Sequence, residues 1–114
     1  MANVFLVYLC IENFEPSYHK AYNVVAVCGN REASVREANA YVAQGHRIAI
    51  ATHGNEYGFC YFSRPFEEDE LFSDPSTIGD TVYYKERLFS QTCDEKRTTK
   101  CKWSICVEQH FIRE

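Results

Sequence analysis

CGNREASVREANAYVAQG, residues 28–45, decides the fold, because it reads as a helix set between two strand-like runs. Ser34 and Glu37 have the spacing of a capping box, in which hydroxyl and carboxylate satisfy each other's free backbone N–H groups. A helix starting at Ser34 is therefore expected, with a start one turn earlier at Asn30 as the alternative. Val35, Ala38 and Val42 recur at intervals of three and four and form a narrow apolar stripe, while Arg36, Asn39 and Ala43 turn away from it. Gly45 stands where a left-handed C-terminal cap is commonest, so the helix is expected to end there. About three turns are not stable alone in water, so the stripe needs a sheet to lie on.

Working outward, residues 3–12 are apolar on both alternating faces, as in a central strand covered on both sides. A polar connection with Pro16 leads to residues 22–28, whose β-branched content predicts a second strand and an antiparallel hairpin. Beyond the helix, residues 46–52 and 57–63 flank the turn formers Gly54 and Asn55 and read as another hairpin, ended by Arg64 and Pro65. Residues 67–72 are an acidic helix or a solvated loop, and the turn-rich residues 73–80 divide the two halves. Residues 81–91 and 102–112 are strand-like. In the latter Trp103, Ile105, Val107 and Phe111 share the parity expected to face the core, and Lys102, Ser104, Cys106, Glu108 and His110 share the other. The expected fold is a single α+β domain over residues 1–114: a mixed or mostly antiparallel sheet of about six strands with one main helix packed on one face.

The chain has 114 residues, 46% hydrophobic and 25% charged, which is the composition of an ordinary folded domain. A net charge of −4 argues against general nucleic-acid binding, which needs a basic footprint. No apolar run reaches membrane-span length and the N-terminus lacks a signal-peptide layout, so a cytoplasmic protein is expected. The six cysteines (Cys10, Cys28, Cys60, Cys93, Cys101 and Cys106) are then reduced thiols; in a secreted chain they would form a disulfide framework.

Cys93, Cys101, Cys106 and His110 invite a zinc reading, but closely spaced ligand pairs are missing, and Cys101 and Cys106 point to opposite faces of a straight strand. His53 and Cys60 permit a nucleophilic pair, but no local signature supplies an orienting group or an oxyanion hole. No metal, cofactor or catalytic residue is expected. The arginines near strand ends stand beside aromatics: Arg64 by Phe66, Arg87 by Tyr84 and Phe89, and Arg113 by Phe111. A guanidinium fork holds phosphate and a ring stacks on a base, so Arg64, Phe66, Tyr84, Arg87, Phe89 and Arg113 are the candidate ligand-binding residues. In so small a chain such a pocket is best built at a subunit interface.

VFLVYLCIE, YNVVAVCGN and REASVREANAYV together resemble small phage-encoded proteins that open strand, loop, strand and capped helix, among them the phage anti-Thoeris sponge proteins. That resemblance implies a non-enzymatic, homo-oligomeric anti-defence protein that sequesters a small nucleotide signal of the cyclic ADP-ribose or cyclic oligonucleotide class. The alternative is an inhibitor that covers a host defence protein such as a CRISPR effector with an acidic surface, including Glu67, Glu68, Asp69 and Glu70.

Overall fold

The structure is a computed structural model and describes residues 2–15, 17–53, 58–60, 65–93, 96 and 98–112. In chain order the elements are β1 (Ala2–Asn13), β2 (His19–Cys28), α1 (Arg31–His53), β3 (Gly58–Cys60), α2 (Glu68–Leu71), β4 (Ser76–Ile78), β5 (Thr81–Tyr83), β6 (Arg87–Cys93) and β7 (Thr99–Ile112). All seven strands belong to one sheet, and every pairing in it is antiparallel. The chain is thus the expected α+β fold.

β7 is the spine of the sheet. It pairs along β1 from Ala2↔Ile112 to Asn13↔Cys101, and β2 extends the sheet beyond β1. The other side of β7 is shared. β6 takes its first half, with β3 outside, and β5 takes residues 108–110, with β4 outside. The helix lies over one face, where Phe5, Val7, Leu9, Phe89, Ile105 and Val107 form a core with Ala38 and Val42 of its stripe. Each fully buried side chain of this kind stabilises the fold by about 1.5–3 kcal/mol. Trp103, Ile105 and Val107 face this core as their parity predicts, while Phe111 is only half-buried.

Several expectations are corrected. The helix begins at Arg31, capped by Asn30, whose Oδ1 accepts from the Ala33 N–H at 2.7 Å; Ser34 is wholly buried and its hydroxyl donates to the Asn30 carbonyl at 2.9 Å. The helix also runs through Gly45 to His53, so residues 46–52 are helical and not a strand. One interior glycine costs about 1 kcal/mol, too little to stop a helix whose following residues alternate isoleucine with alanine, the strongest helix former. β3 accordingly pairs with β6 instead of closing a hairpin with residues 46–52.

Residues 81–91 form two strands, with a break at residues 84–86. Residues 76–78, expected as part of a turn, are a strand joined to β5 by a two-residue turn whose Gly79 has φ +62°. Glycine-first hairpin turns use that backbone region. The acidic run resolves as the short helix α2, with the Glu67 N–H donating to Glu70 Oε1 at 3.1 Å and Leu71 buried beneath. No helix among the described residues is long and apolar enough to cross a membrane.

Candidate functional site

The face of the sheet away from α1 has no helix on it among the described residues, contrary to the expectation that β1 is covered on both sides. Val4, Leu6, Tyr8 and Glu12 of β1 are half-buried there, and the even-numbered residues of β7 lie beside them. In β2 the register slips opposite Val7 and Tyr8, so that Tyr22 faces Cys10, Val24 faces Tyr8 and Val27 faces Leu6. A β-bulge of this kind absorbs one residue and keeps all three on one face. They are 51%, 51% and 67% exposed.

The break between β5 and β6 supplies what cover this face has. Three residues, 84–86, oppose two on β7, and the segment is pinned by Tyr84 N–H to the Val107 carbonyl and Lys85 N–H to the Ser73 carbonyl, both at 3.1 Å. Glu86 reaches across the sheet from there. Its Oε1 accepts from the Tyr22 hydroxyl at 2.8 Å and stands 3.3 Å from Lys20 Nζ, which also lies 5.2 Å from the Tyr22 ring centroid. Cys10 and Cys106 are buried on this face. Burial and the nearby Glu86 carboxylate push their thiols up to about 11 and about 12 respectively, so they are protonated at neutral pH and weakly nucleophilic.

Beside this bridge is a cleft of about 460 Å³ whose lining includes Tyr8, Tyr22, Tyr83, Glu86, Glu108 and Cys106. Burial followed by hydrogen bonding to Glu108 raises the Tyr8 phenol to about 12, and burial together with Glu86 raises that of Tyr22 to about 12. Lys20 is held protonated well above its ordinary range, chiefly by its hydrogen bond with Tyr22. Burial is the largest cause of the phenol and thiol shifts and disfavours charge of either sign; Glu86 and Glu108 add a smaller push against negative charge.

At its edge Thr81 Oγ1 lies 3.2 Å from His110 Nδ1, and His110 Nε2 lies 3.0 Å from Glu108 Oε2. The row has the hydroxyl–imidazole–carboxylate order of a nucleophilic relay. Thr81 and His110 are also a directly opposed cross-strand pair, and such pairs are the ordinary unit of sheet cohesion.

The residues expected to bind a ligand do not gather here. Phe89 is wholly buried in the core, edge-on to Trp103, and Phe66 is buried with its N–H and carbonyl both held by the Asn39 amide at 2.7 and 3.0 Å. The Tyr84 residue borders the cleft, but its ring packs against Phe72 in the core and its hydroxyl donates to Gln109 at 2.8 Å. Arg87 is committed to the molecule itself: its Nε donates to the Glu70 carbonyl at 2.8 Å and its Nη2 to the Ser73 hydroxyl. Arg64 and Arg113 lie outside the described residues, as do the side chains of His53 and Cys60. Cys101 is buried in the core and Cys106 on the opposite face; among the described residues no three His, Cys, Asp or Glu side chains gather as metal ligands.

The acidic run is a separate feature. Glu67 and Glu68 border a depression with Glu32, Val35 and Arg36 on the helical side of the molecule. Sequence reasoning missed Tyr8, Tyr22, Glu86 and Glu108. The signal available was parity: Tyr8, Cys10 and Glu12 alternate in β1 just as Cys106, Glu108 and His110 do in β7, a half-polar row on one face of two neighbouring strands. The chain matches no protein-family model, no curated protein and no solved structure.

Proposed function

We propose that the protein is a non-enzymatic binding protein that takes a cationic side chain of a partner protein into the tyrosine cleft. One observation carries this reading: a cleft lined by three tyrosines also holds two carboxylates, Glu86, which already keeps the Lys20 ammonium against Tyr22, and Glu108, beside His110. An ammonium or guanidinium over a tyrosine face gains about 0.5–2 kcal/mol, and more with a carboxylate alongside. Lys20, lying over the Tyr22 ring and against Glu86, is an internal example of the same contact. An inhibitor that covers a basic surface of a host defence protein fits this chemistry, and it acts by occupancy alone.

Sequestration of a nucleotide signal of the cyclic ADP-ribose class by a homo-oligomer is the second reading, favoured by the tyrosine faces, on which a base can stack. Its phosphates would meet Glu86 and Glu108, whereas Arg87, the described arginine expected to hold them, is occupied by Glu70 and Ser73. The first reading is preferred on that ground.

Calorimetric titration distinguishes the two. A lysine- and arginine-rich peptide is expected to bind, to weaken with salt and to lose at least about tenfold in affinity in the E86Q/E108Q double variant. Binding of cyclic ADP-ribose without peptide binding transfers the case to the second reading; binding of neither rejects both.

A further inference from the structure

Among the described residues seven large apolar side chains are exposed, and six of them stand on one side of the sheet. The register places them there. Val27 lies opposite Leu6, Val24 opposite Tyr8 and Tyr22 opposite Cys10, while Tyr83 lies opposite Glu108, Ile112 opposite Ala2, and Ile78 opposite Thr81, which itself faces His110. All six therefore point away from α1; the seventh, Tyr18, lies just ahead of β2. Apolar residues exposed singly need no explanation, whereas a gathered set marks an interaction surface.

We infer that this face packs on the same face of a second copy of the chain, in a two-fold dimer whose seam is the apolar end of the sheet. Area supports that occupant. The five of these side chains other than Tyr22 are 39–67% exposed, and with half-buried Val4 and Leu6 between them they present on the order of 600 Å², against about 800 Å² that each partner gives to a stable interface. Composition also runs the right way along the face. At one end Glu12 lies opposite both Lys20 and Lys102, a charged row suited to a rim, whereas Ile78, Ile112, Val4, Leu6 and Val27 occupy the other end. Glu108 and His110, the titratable pair at the apolar end, lie 3.0 Å apart and carry their own partner into the seam.

A pleated face is matched in shape by another sheet, because two sheets pack about 10 Å apart with their side chains interleaved. The other face of this sheet is taken by α1, so the second sheet comes from a second molecule, and a two-fold pairing buries both apolar ends at once. The tyrosine cleft shares Tyr83 and Glu108 with this end, while its Tyr22 stands next to the charged row, so the seam passes along one side of the cleft.

The test is the oligomeric state of the full chain. Sedimentation equilibrium between about 1 μM and about 1 mM is expected to show the mass rise from 13.3 kDa to twice that value. V27K/I78K and V27E/I78E each set like charges in the seam and are expected to weaken dimerisation by at least about a hundredfold, and an equimolar mixture of the two to recover it as a heterodimer. Both positions are 67% exposed, so both variants are expected to stay folded, which circular dichroism checks; V27K alone replaces the pair if it does not. Tyr18→Ser removes the exposed ring away from this face and is expected to dimerise like the parent.

A chain that stays monomeric throughout overturns the inference. So does a dimer that V27K/I78K leaves intact, or one that Y18S disrupts equally, because either places the contact elsewhere. A mixture of the two charged variants that remains monomeric overturns the pairing of this face with itself.

Discussion

Glu86 links groups from three strands on one sheet face. It accepts from Tyr22, pairs with Lys20 and adds negative potential to the thiols of Cys10 and Cys106. On this face burial, helped by Glu86 or Glu108, holds protons on two thiols and two phenols, and the contact with Tyr22 holds one on the Lys20 ammonium, beyond the pH at which the unfolded chain releases them. Where the native state binds more protons than the unfolded state, stability falls as pH rises. All five groups act in that direction. Their contribution is complete below about pH 8 and is lost from about pH 9 upward, as the unfolded chain begins to ionise. Urea midpoints measured at rising pH are expected to show this alkaline fall, and E86Q to make it shallower. The same protonation makes Cys10 and Cys106 slow to react with a disulfide reagent near pH 8 until the protein is denatured, which peptide mapping of the labelled thiols checks.

The helix α1 is anchored by residues whose roles are partly legible in the amino-acid order alone. The stripe of Val35, Ala38 and Val42 and the alternative start at Asn30 follow from spacing and cap chemistry, and both are observed. Ser34 misleads because its hydroxyl satisfies itself on the carbonyl one turn back, which no local pattern distinguishes from a cap. Gly45 misleads because a glycine stops a helix only when the chain beyond it has a better place to go. The cleft was illegible for a different reason: it depends on a break between β5 and β6 that places Glu86 over the sheet, and that break arises from long-range bonds to Ser73 and Val107. Replacing Asn30 by alanine removes the cap and is expected to cost about 1 kcal/mol. Asn39→Ala is expected to cost more, about 1–3 kcal/mol, because it leaves the buried Phe66 N–H without the Asn39 acceptor and its carbonyl without the Asn39 donor. Chemical denaturation of the two variants against the parent checks the order.

At the scale of the molecule, the sheet is strong along its spine and weak at its margins. β7 is paired on one side with β1 for twelve successive positions and on the other with β6 and β5, and Ile105 and Val107 within it are wholly buried. Among the described residues β2 has an open outer edge and six successive exposed residues, and the three residues of β4 are all exposed. Opening a margin therefore uncovers little apolar surface, whereas opening β7 removes the core from both β1 and β6. Local stability follows buried contact, so amide exchange is expected to be graded. The amides bonded between β1 and β7 are expected to exchange only on global unfolding, and those of β4 and the first half of β2 at much lower free energies. Exchange measured at low urea concentrations tests this directly: denaturant should accelerate the spine amides with the full slope of global unfolding and leave the margins nearly insensitive. A uniform slope across all strands would show that β2 is held as firmly as the core.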